Sequence, residues 1–194
     1  MRRARGIVKE GHQVLIVSVV ASVNDSLEVI ARDFADAARM AKDAGADIVE
    51  ANYSCPNTPG DHSGDVYLYP EDARYISAAM RDALGDTPLF VKIGCLPAPK
   101  LREFVEHNAR LIDGIVAINT IPARVIDDNE NEAFPHRPTA GVSGWAIKAR
   151  AQEMARNLVA LRKEIPARSG KPLTILGLGG VLTRQDAFDY LDGI

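Results

Sequence analysis

Apolar residues along the chain are concentrated in five short runs in which nearly every position is hydrophobic. Their side chains are largely β-branched or aliphatic, and more polar segments separate one run from the next. Continuous runs of this kind are typical of parallel strands that are buried on both faces. The predicted strands are VLIVSVV (14–20), DIVEANY (47–53), PLFVKIG (88–94), GIVAINT (114–120) and LTILGLG (173–179).

Segments with apolar residues at helical spacing lie between these strands and after the last one. Pro70 stands at a first helical position, and Gly45 and Gly85 are suitable C-terminal stops. Thr183 and Asp186 form a pair like that of a capping box. The predicted helices span residues 26–45, 70–85, 100–110, 144–165 and 183–191.

The elements alternate as strand and helix five times, which indicates a parallel α/β sheet. Two architectures are compatible with this order, an open doubly wound sheet and part of a (β/α) barrel. No linker divides the chain, so residues 1–194 are expected to form one domain. Residues 121–143 form a long insert that is predicted to be irregular, and inserts of that length are usually functional lids or disordered.

Composition narrows the functional classes. The 194 residues are 46% hydrophobic and 25% charged, with a net charge of -3, as expected for a globular protein with a sizeable core. A nucleic-acid binder would carry a basic stripe, whereas the basic cluster Arg2–Arg5 is expected to be a solvated N-terminal end. No apolar run reaches the ~18 residues that a bilayer requires, so no membrane segment is predicted.

The two cysteines, Cys55 and Cys95, are isolated from each other in the sequence. They form no metal-type spacing with the four scattered histidines, so no metal site is predicted. Isolated cysteines in an acidic chain favour a reducing, cytoplasmic environment over a disulfide framework.

Polar residues and glycines stand at the carboxyl ends of four of the predicted strands. In parallel α/β folds the carboxyl ends of the strands share one edge, and ligands bind there. These residues are therefore expected to form one rim. They are Asn52, Ser54, Cys55 and Asn57 at the end of the second strand, Lys92 at the end of the third, Asn119 and Thr120 at the end of the fourth, and the run Gly177–Gly180 at the end of the fifth.

Each of these residues also has a purely structural interpretation. A single cysteine is more often a small buried hydrophobe than a reactive group, and Cys95 is interpreted in that way. A lysine inside a buried strand needs a partner, and an anionic ligand would offset the cost of burying Lys92. Asn119 and Thr120 could simply begin a turn.

The glycine run before the last helix points to a phosphate. Glycines let backbone N–H groups approach an anion, and the start of a helix attracts negative charge. The segment GLGG follows an apolar strand and precedes the helix with the capping pair. This arrangement favours a phosphorylated cofactor such as flavin mononucleotide (FMN).

The segment NYSCPNTPG (52–60) resembles the motif N-x-S-C-P-N-x-P-G of dihydroorotate dehydrogenases of the cysteine-base, soluble branch. Further segments are similar in the same order, and the resemblance runs from about residue 14 to the C-terminus. It implies a (β/α) TIM barrel that binds FMN and oxidises dihydroorotate to orotate in pyrimidine biosynthesis. The further segments are VKIG (91–94), INT (118–120), AGVSGWAIK (140–148) and ILGLGGVLTRQDA (175–187).

The resemblance also implies a role for each matching residue. Cys55 would be the base that removes the C5 proton of dihydroorotate while hydride passes from C6 to the flavin, and a thiol acts in this way only as its thiolate. Amides offer donors and acceptors to the pyrimidine ring and its carboxylate, and Thr120 would assist them. These substrate-binding residues would be Asn52, Asn57, Asn119 and Thr120.

The remaining implied roles concern the cofactor and partners. Lys92 would stabilise the reduced, anionic flavin, and Gly144, Gly179 and Gly180 would line the flavin and its phosphate. Soluble relatives are usually dimers, so a homodimer is expected, with an electron-acceptor subunit as a possible partner. The acceptor itself is not predicted from the sequence.

Two alternatives to dihydroorotate oxidation stay open. Dihydropyrimidine dehydrogenases are close relatives, but their motif usually carries His where this chain has Asn57, which favours dihydroorotate.

The second alternative is a truncated, non-catalytic half-barrel. A full barrel takes about 250 residues, whereas the five strand–helix units here match family strands three to seven. We therefore expect an incomplete barrel and a fragment of a longer protein, although two copies could instead pair their open edges, or the product could bind nothing.

Overall fold

A parallel sheet with helices packed against it forms the centre of the molecule. The computed structural model describes residues 2–8, 11–22, 26–55, 65–134, 139–168 and 170–192. In chain order the elements are α1 (Arg2–Arg5), β1 (Ile16–Val19), α2 (Leu27–Asp43), β2 (Ile48–Asn52), α3 (Pro70–Leu84), β3 (Leu89–Ile93), α4 (Ala98–Asn108), β4 (Gly114–Ala117), β5 (Ile121–Arg124), β6 (Thr139–Val142), α5 (Lys148–Glu164), β7 (Thr174–Gly177) and α6 (Arg184–Leu191).

The main sheet has five strands in the spatial order β1-β2-β3-β4-β7, and every neighbouring pair is parallel. Each of these strands lies within one of the five predicted runs. The predicted α/β class is therefore confirmed. The parallel register places the carboxyl ends of all five strands at one edge, with Asn52 opposite Lys92 on neighbouring strands.

Helices α2, α3, α4 and α5 cover one face of the sheet with apolar side chains. Phe34 of α2 and Tyr53 after β2 are both fully buried, and their rings meet edge to face with centroids 5.5 Å apart. Burial of such side chains is the main contribution to folding. The core therefore lies between this helical layer and the sheet.

The helix boundaries follow the predicted signals closely. Helix α3 begins at Pro70 and is followed by Gly85, which has a positive φ of 61°. The side chains of Thr183 and Asp186 form the expected capping box at the start of α6. The predicted helix 144–165 differs at its start, because Gly144–Ile147 form a 3₁₀ turn before α5.

Two predictions need correction. The insert 121–143, predicted to be irregular, contains an antiparallel ribbon in which β5 pairs with β6. The basic cluster Arg2–Arg5, predicted to be a solvated end, departs from that prediction at Arg5, whose guanidinium pairs with Asp47 at 2.6 Å. In both cases a partner distant in sequence supplies the stabilising contact.

Two properties of the described residues bear on function. None of their helices combines the length and apolar character that crossing a bilayer requires. No group of three His, Cys, Asp or Glu side chains within these residues is placed to hold a metal ion.

Candidate active site

Two asparagines link the ends of β2 and β4 at the carboxyl edge of the sheet. The Asn119 side-chain amide donates to Asn52 Oδ1 at 3.1 Å and to the carbonyl oxygen of Ser54. Asn52 Oδ1 also accepts from the backbone N–H of Ser54 at 3.3 Å. Asn119 Oδ1 in turn accepts from the backbone N–H of Thr120 at 2.9 Å. We call Asn52, Ser54, Asn119 and Thr120 the amide cluster.

Strand β3 fixes the position of this cluster through the backbone. The N–H of Tyr53 donates to the carbonyl of Lys92 at 2.9 Å, and the N–H of Asn119 donates to the carbonyl of Ile93 at the same distance. The segments that follow β2 and β4 are therefore tied to the strand between them. The predicted convergence of Asn52 and Asn119 is confirmed by these contacts.

Cys55 follows the amide cluster directly, and its residue is half-buried. Its backbone continues from Ser54, which is buried and held by both asparagines. The cluster thus sets the direction in which the chain leaves the sheet at Cys55. The predicted substrate residue Asn57 lies outside the described residues.

Two tyrosines support the chain behind Cys55. The hydroxyl of Tyr53 lies 2.8 Å from the hydroxyl of Ser77, whose own hydroxyl donates to Asn108 at 3.2 Å. Burial raises the pKa of Tyr53 far above its usual value, so that the phenol remains neutral.

The Tyr67 ring covers Gly94, where an added Cβ would lie 2.5 Å from ring atom Cζ. Burial is also the largest cause of the raised pKa of Tyr67.

Lys92 lies on the same strand as the backbone groups that hold the cluster. Its ammonium donates to Glu50 Oε1 at 2.9 Å, and the same oxygen accepts from the Ser18 hydroxyl at 2.6 Å. Glu50 is buried, with 7% of its surface exposed. The partner that a lysine inside a strand needs is therefore supplied by the chain itself. Because Glu50 already offsets the cost of burying Lys92, that cost is not evidence for an anionic ligand.

Sequence reasoning missed Glu50, although a signal was present. A single acidic residue among the apolar residues Ile48, Val49 and Ala51 of β2 is costly unless it is paired. The run PLFVKIG contains a single basic residue in the same way. One acid and one base in two predicted buried strands would have suggested the pair.

The glycine turn after β7 packs against α5. Gly179 and Gly180 both have positive φ, at 122° and 69°. A Cβ on Gly180 would lie 2.4 Å from Lys148 Cβ, and one on Gly179 would lie 2.9 Å from Ala151 Cβ. Both glycines are therefore required by close packing as well as by backbone conformation.

The start of α6 is satisfied from within the chain. Asp186 Oδ2 accepts from the backbone N–H groups of Leu182 and Thr183 at 2.9 and 2.7 Å. Lys148 pairs with the other oxygen of Asp186 at 2.5 Å. The predicted attraction of a phosphate to this helix start therefore competes with Asp186. A phosphate site here would depend on the glycine backbone.

The other predicted residues differ in their surroundings. Gly144 has a φ of 73° and faces open space, because an added Cβ would meet no atom within 4 Å. Cys95 lines a separate cavity of about 460 Å³ with Arg150 and Met154, and burial raises the pKa of its thiol. Among the described residues, none of the predicted catalytic, substrate or cofactor residues lines that cavity. The structural interpretation of Cys95 is consistent with this position.

Comparison with protein families gives one match over nearly the whole chain. Residues 3–193 match the family model described as dihydroorotate dehydrogenase. A dihydroorotate dehydrogenase of Dictyostelium discoideum is 30% identical over 186 residues, which cover 93% of this chain and 49% of that protein. A dihydroorotate dehydrogenase (quinone) of Pseudarthrobacter chlorophenolicus is 35% identical over 181 residues, covering 89% and 46%.

A third relative and one solved structure complete the comparison. The catalytic subunit of a dihydroorotate dehydrogenase B (NAD(+)) of Thermoplasma acidophilum is 30% identical over 187 residues, which cover 95% of this chain and 55% of the subunit. The crystal structure of a ligand-free dihydroorotate dehydrogenase from Eimeria tenella aligns with a TM-score of 0.62 at 22% identity, covering 83% of this chain and 47% of that one. This likeness supports the fold, and the chain spans about half the length of the relatives it matches.

Proposed function

The chain belongs to the dihydroorotate dehydrogenase family, and on that premise we propose that it carries the proton-abstracting part of an FMN-dependent site that oxidises dihydroorotate to orotate. The proposal concerns the reductive half of the reaction only. The relatives' names include both quinone and NAD(+) types, so family membership does not select an electron acceptor.

The observation that carries the proposal is the contact between the amide cluster and the chain at Cys55. Asn119 holds both Asn52 and the Ser54 carbonyl, and Cys55 is the next residue. A base must lie at a defined position relative to the substrate, and the groups that fix the substrate here also fix the base.

The roles follow from what each side chain offers. Cys55, as its thiolate, takes a proton from the carbon that is deprotonated in dihydroorotate. The asparagines supply donors and acceptors that orient a pyrimidine ring with a carboxylate, and Thr120 adds a hydroxyl beside Asn119. Asn57 is proposed for the same role from its place in the motif alone.

The cofactor is proposed from the residues beside this cluster. When bound, FMN would accept the hydride that leaves the substrate. Lys92 offers a cation on the strand between the two halves of the cluster, with 18% of its side chain exposed. Gly179 and Gly180 keep backbone close to α5 without a Cβ, and Gly144 borders open space. The charge of Lys92 and the open space beside Gly144 would suit a flavin edge, and the glycine turn would offer backbone N–H groups to its phosphate.

The first experiment asks whether the purified chain holds a flavin. We expect the fluorescence of FMN to be quenched when FMN is titrated with the chain. The absorbance of the bound, oxidised flavin should then be lost on anaerobic mixing with dihydroorotate, because the flavin is reduced; we call this loss bleaching. Dihydrouracil serves as the comparison substrate and should bleach the flavin far more slowly. A chain that binds no FMN would contradict the proposal, and equal bleaching by dihydrouracil would redirect it to reduced pyrimidines without a carboxylate.

The second experiment uses the two cysteines as a matched pair. Cys55→Ala should keep FMN binding and lose flavin bleaching by dihydroorotate, by about 10²-fold or more, because the base is absent. Cys95→Ala removes the other half-buried cysteine thiol, which lies outside the site, and should bleach like the wild type. Equal rates in Cys55→Ala and wild type would remove Cys55 from the mechanism.

A further inference from the structure

A buried carboxylate joins three neighbouring strands beneath the amide cluster. Glu50 of β2 accepts from Ser18 of β1 and from Lys92 of β3, both at Oε1, at 2.6 and 2.9 Å. The Glu50 side chain is 9% exposed and that of Lys92 is 18% exposed. Ion pairs this well shielded from water depend strongly on each partner, because either charge alone would be left poorly solvated.

The pair lies on the face of the sheet that carries the site. Successive residues of a strand point to opposite faces, so Glu50 and Asn52 share one face. Asn52 stands opposite Lys92 in the parallel register, and Ser18 stands opposite Glu50. Ser18 and Glu50 therefore lie one step of the same face below Asn52 and Lys92, and the Lys92 ammonium reaches down to Glu50 from the level of Asn52.

We propose that Glu50 is the positioning residue for Lys92: it holds the ammonium against the inner face of the sheet and balances its charge where the flavin edge would lie. This inference rests on the proposed function, in which the flavin binds beside Lys92. The ammonium cannot swing into solvent while Oε1 holds it, and Ser18 fixes Oε1 from the opposite side. With Glu50 present the pair carries no net charge.

A first test needs no flavin. The apo chain is labelled with acetic anhydride, and acetylation of Lys92 is followed by mass spectrometry. Glu50→Gln keeps the shape but removes the charge, so Lys92 should be released and acetylated severalfold faster than in the wild type. The matched control is the exposed pair of Lys100 and Glu103, where Glu103→Gln should change acetylation of Lys100 very little.

The acetylation rate of Lys92 alone decides the outcome of this test. An unchanged or lower acetylation rate of Lys92 in a folded Glu50→Gln chain would overturn the inference. If circular dichroism shows that Glu50→Gln does not fold, Glu50→Asp takes its place. Its carboxylate is one methylene shorter, so Lys92 should react at a rate above that of the wild type, and a wild-type rate would overturn the inference.

A second test measures the midpoint potential of bound FMN. Removing the counter-charge leaves Lys92 with a net positive charge, and in the FMN-bound chain this ammonium would be drawn to the flavin, which gains negative charge on reduction. The potential of Glu50→Gln should therefore shift to a more positive value than that of the wild type. An unchanged potential, or a shift to a more negative value, would overturn the role of Glu50 in balancing the charge.

The two tests separate failure of the inference from failure of the proposed function. A wild-type chain that binds no FMN contradicts the proposed function, while acetylation of Lys92 still decides whether Glu50 holds it. A wild-type chain that binds FMN, with the same Lys92 acetylation and potential in Glu50→Gln, overturns only the inference.

Discussion

At the scale of single residues, Asn119 connects more of the candidate site than any one hydrogen bond suggests. Its amide nitrogen donates to β2 through Asn52 and to the Ser54 carbonyl, and its oxygen accepts from Thr120. An amide can do this because it carries donors and acceptors on one planar group. Aspartate has nearly the same shape but offers no donor.

Asn119→Asp should therefore disrupt the cluster without changing its volume. Both donated bonds are lost, and the new carboxylate faces two oxygens. We expect orotate to bind at least about tenfold more weakly, which corresponds to ~1.4 kcal/mol, measured by calorimetric titration of the FMN-loaded chain. Asn129→Asp alters an exposed asparagine in the β5–β6 insert and should bind orotate as the wild type does. Equal affinity in Asn119→Asp would exclude Asn119 from the substrate site.

The pH dependence of stability should depend in part on Asp186. Hydrogen bonds from Lys148, then from the backbone of Leu182 and from Thr183, lower the pKa of Asp186 well below its usual value of 3.8. A carboxylate with a lowered pKa stabilises the fold fully above its unfolded pKa, and this contribution declines as the pH falls below about 4. Asp186→Asn should flatten the acid side of a plot of melting temperature against pH.

The control for this experiment is Asp128→Asn, which changes an exposed carboxylate in the insert. Its melting temperature should follow the wild-type pH profile. If Asp186→Asn and Asp128→Asn give the same acid profile, the ionised form of Asp186 does not stabilise the fold.

Individual residues also mark the limit of sequence reasoning at the site. Asn52, Asn119 and Lys92 could be placed on one edge because strand ends meet there. The partner of Lys92 could not be identified from a single strand, because Glu50 lies 42 positions away and reaches it only through strand pairing. Asn57 stays a prediction, since it lies outside the described residues.

At the scale of elements, the glycine turn between β7 and α6 depends on its contact with α5. A Cβ on Gly180 would lie 2.8 Å from the backbone Cα of Lys148, so a flexible side chain cannot simply move aside. Gly170 has a similar φ of 73° but faces open space. The two positions thus separate the cost of a positive φ from the cost of a steric clash.

Gly180→Ala should destabilise the chain more than Gly170→Ala. Both variants bear the backbone cost of about 1–2 kcal/mol for a left-handed conformation. Gly180→Ala adds overpacking against α5, worth about 1–3 kcal/mol. Urea unfolding at equilibrium measures the difference. Equal free energies of unfolding in the two variants would mean that the turn moves away from α5 without cost.

The elements that sequence reasoning found and missed differ in the range of their contacts. The five buried strands and their helices have local signals, namely apolar runs, Pro70 and the capping pair of α6. Strands β5 and β6 are four residues each, with Pro122 in one and Gly141 in the other. Proline and glycine weaken a strand prediction. Their pairing brings Thr120 against Gly141, a contact that appears only in the folded ribbon.

At the scale of the whole molecule, the sheet has two outer strands. Within the described residues, β1 pairs only with β2, and β7 pairs only with β4. Apolar side chains are exposed on or near both, among them Ile16 on β1, Val14 just before it, and Leu178 and Leu182 after β7. Unprotected edges of parallel strands are sites for pairing with another chain. The expected homodimer could therefore form through the edges of β1 and β7.

The isolated chain should therefore associate with itself as its concentration rises, and a charge on an outer strand should weaken that association. Ile16→Lys places an ammonium on β1, where an incoming strand would have to bury it. Met40→Lys is the control, because it replaces an exposed apolar residue that lies on α2 and belongs to neither outer strand. Sedimentation velocity over a range of concentrations should show a lower mean mass for Ile16→Lys and a wild-type mass for Met40→Lys.

A wild-type chain that stays monomeric at all concentrations would mean that its edges are protected without a partner. Equal masses for the two variants would place the contact elsewhere on the surface.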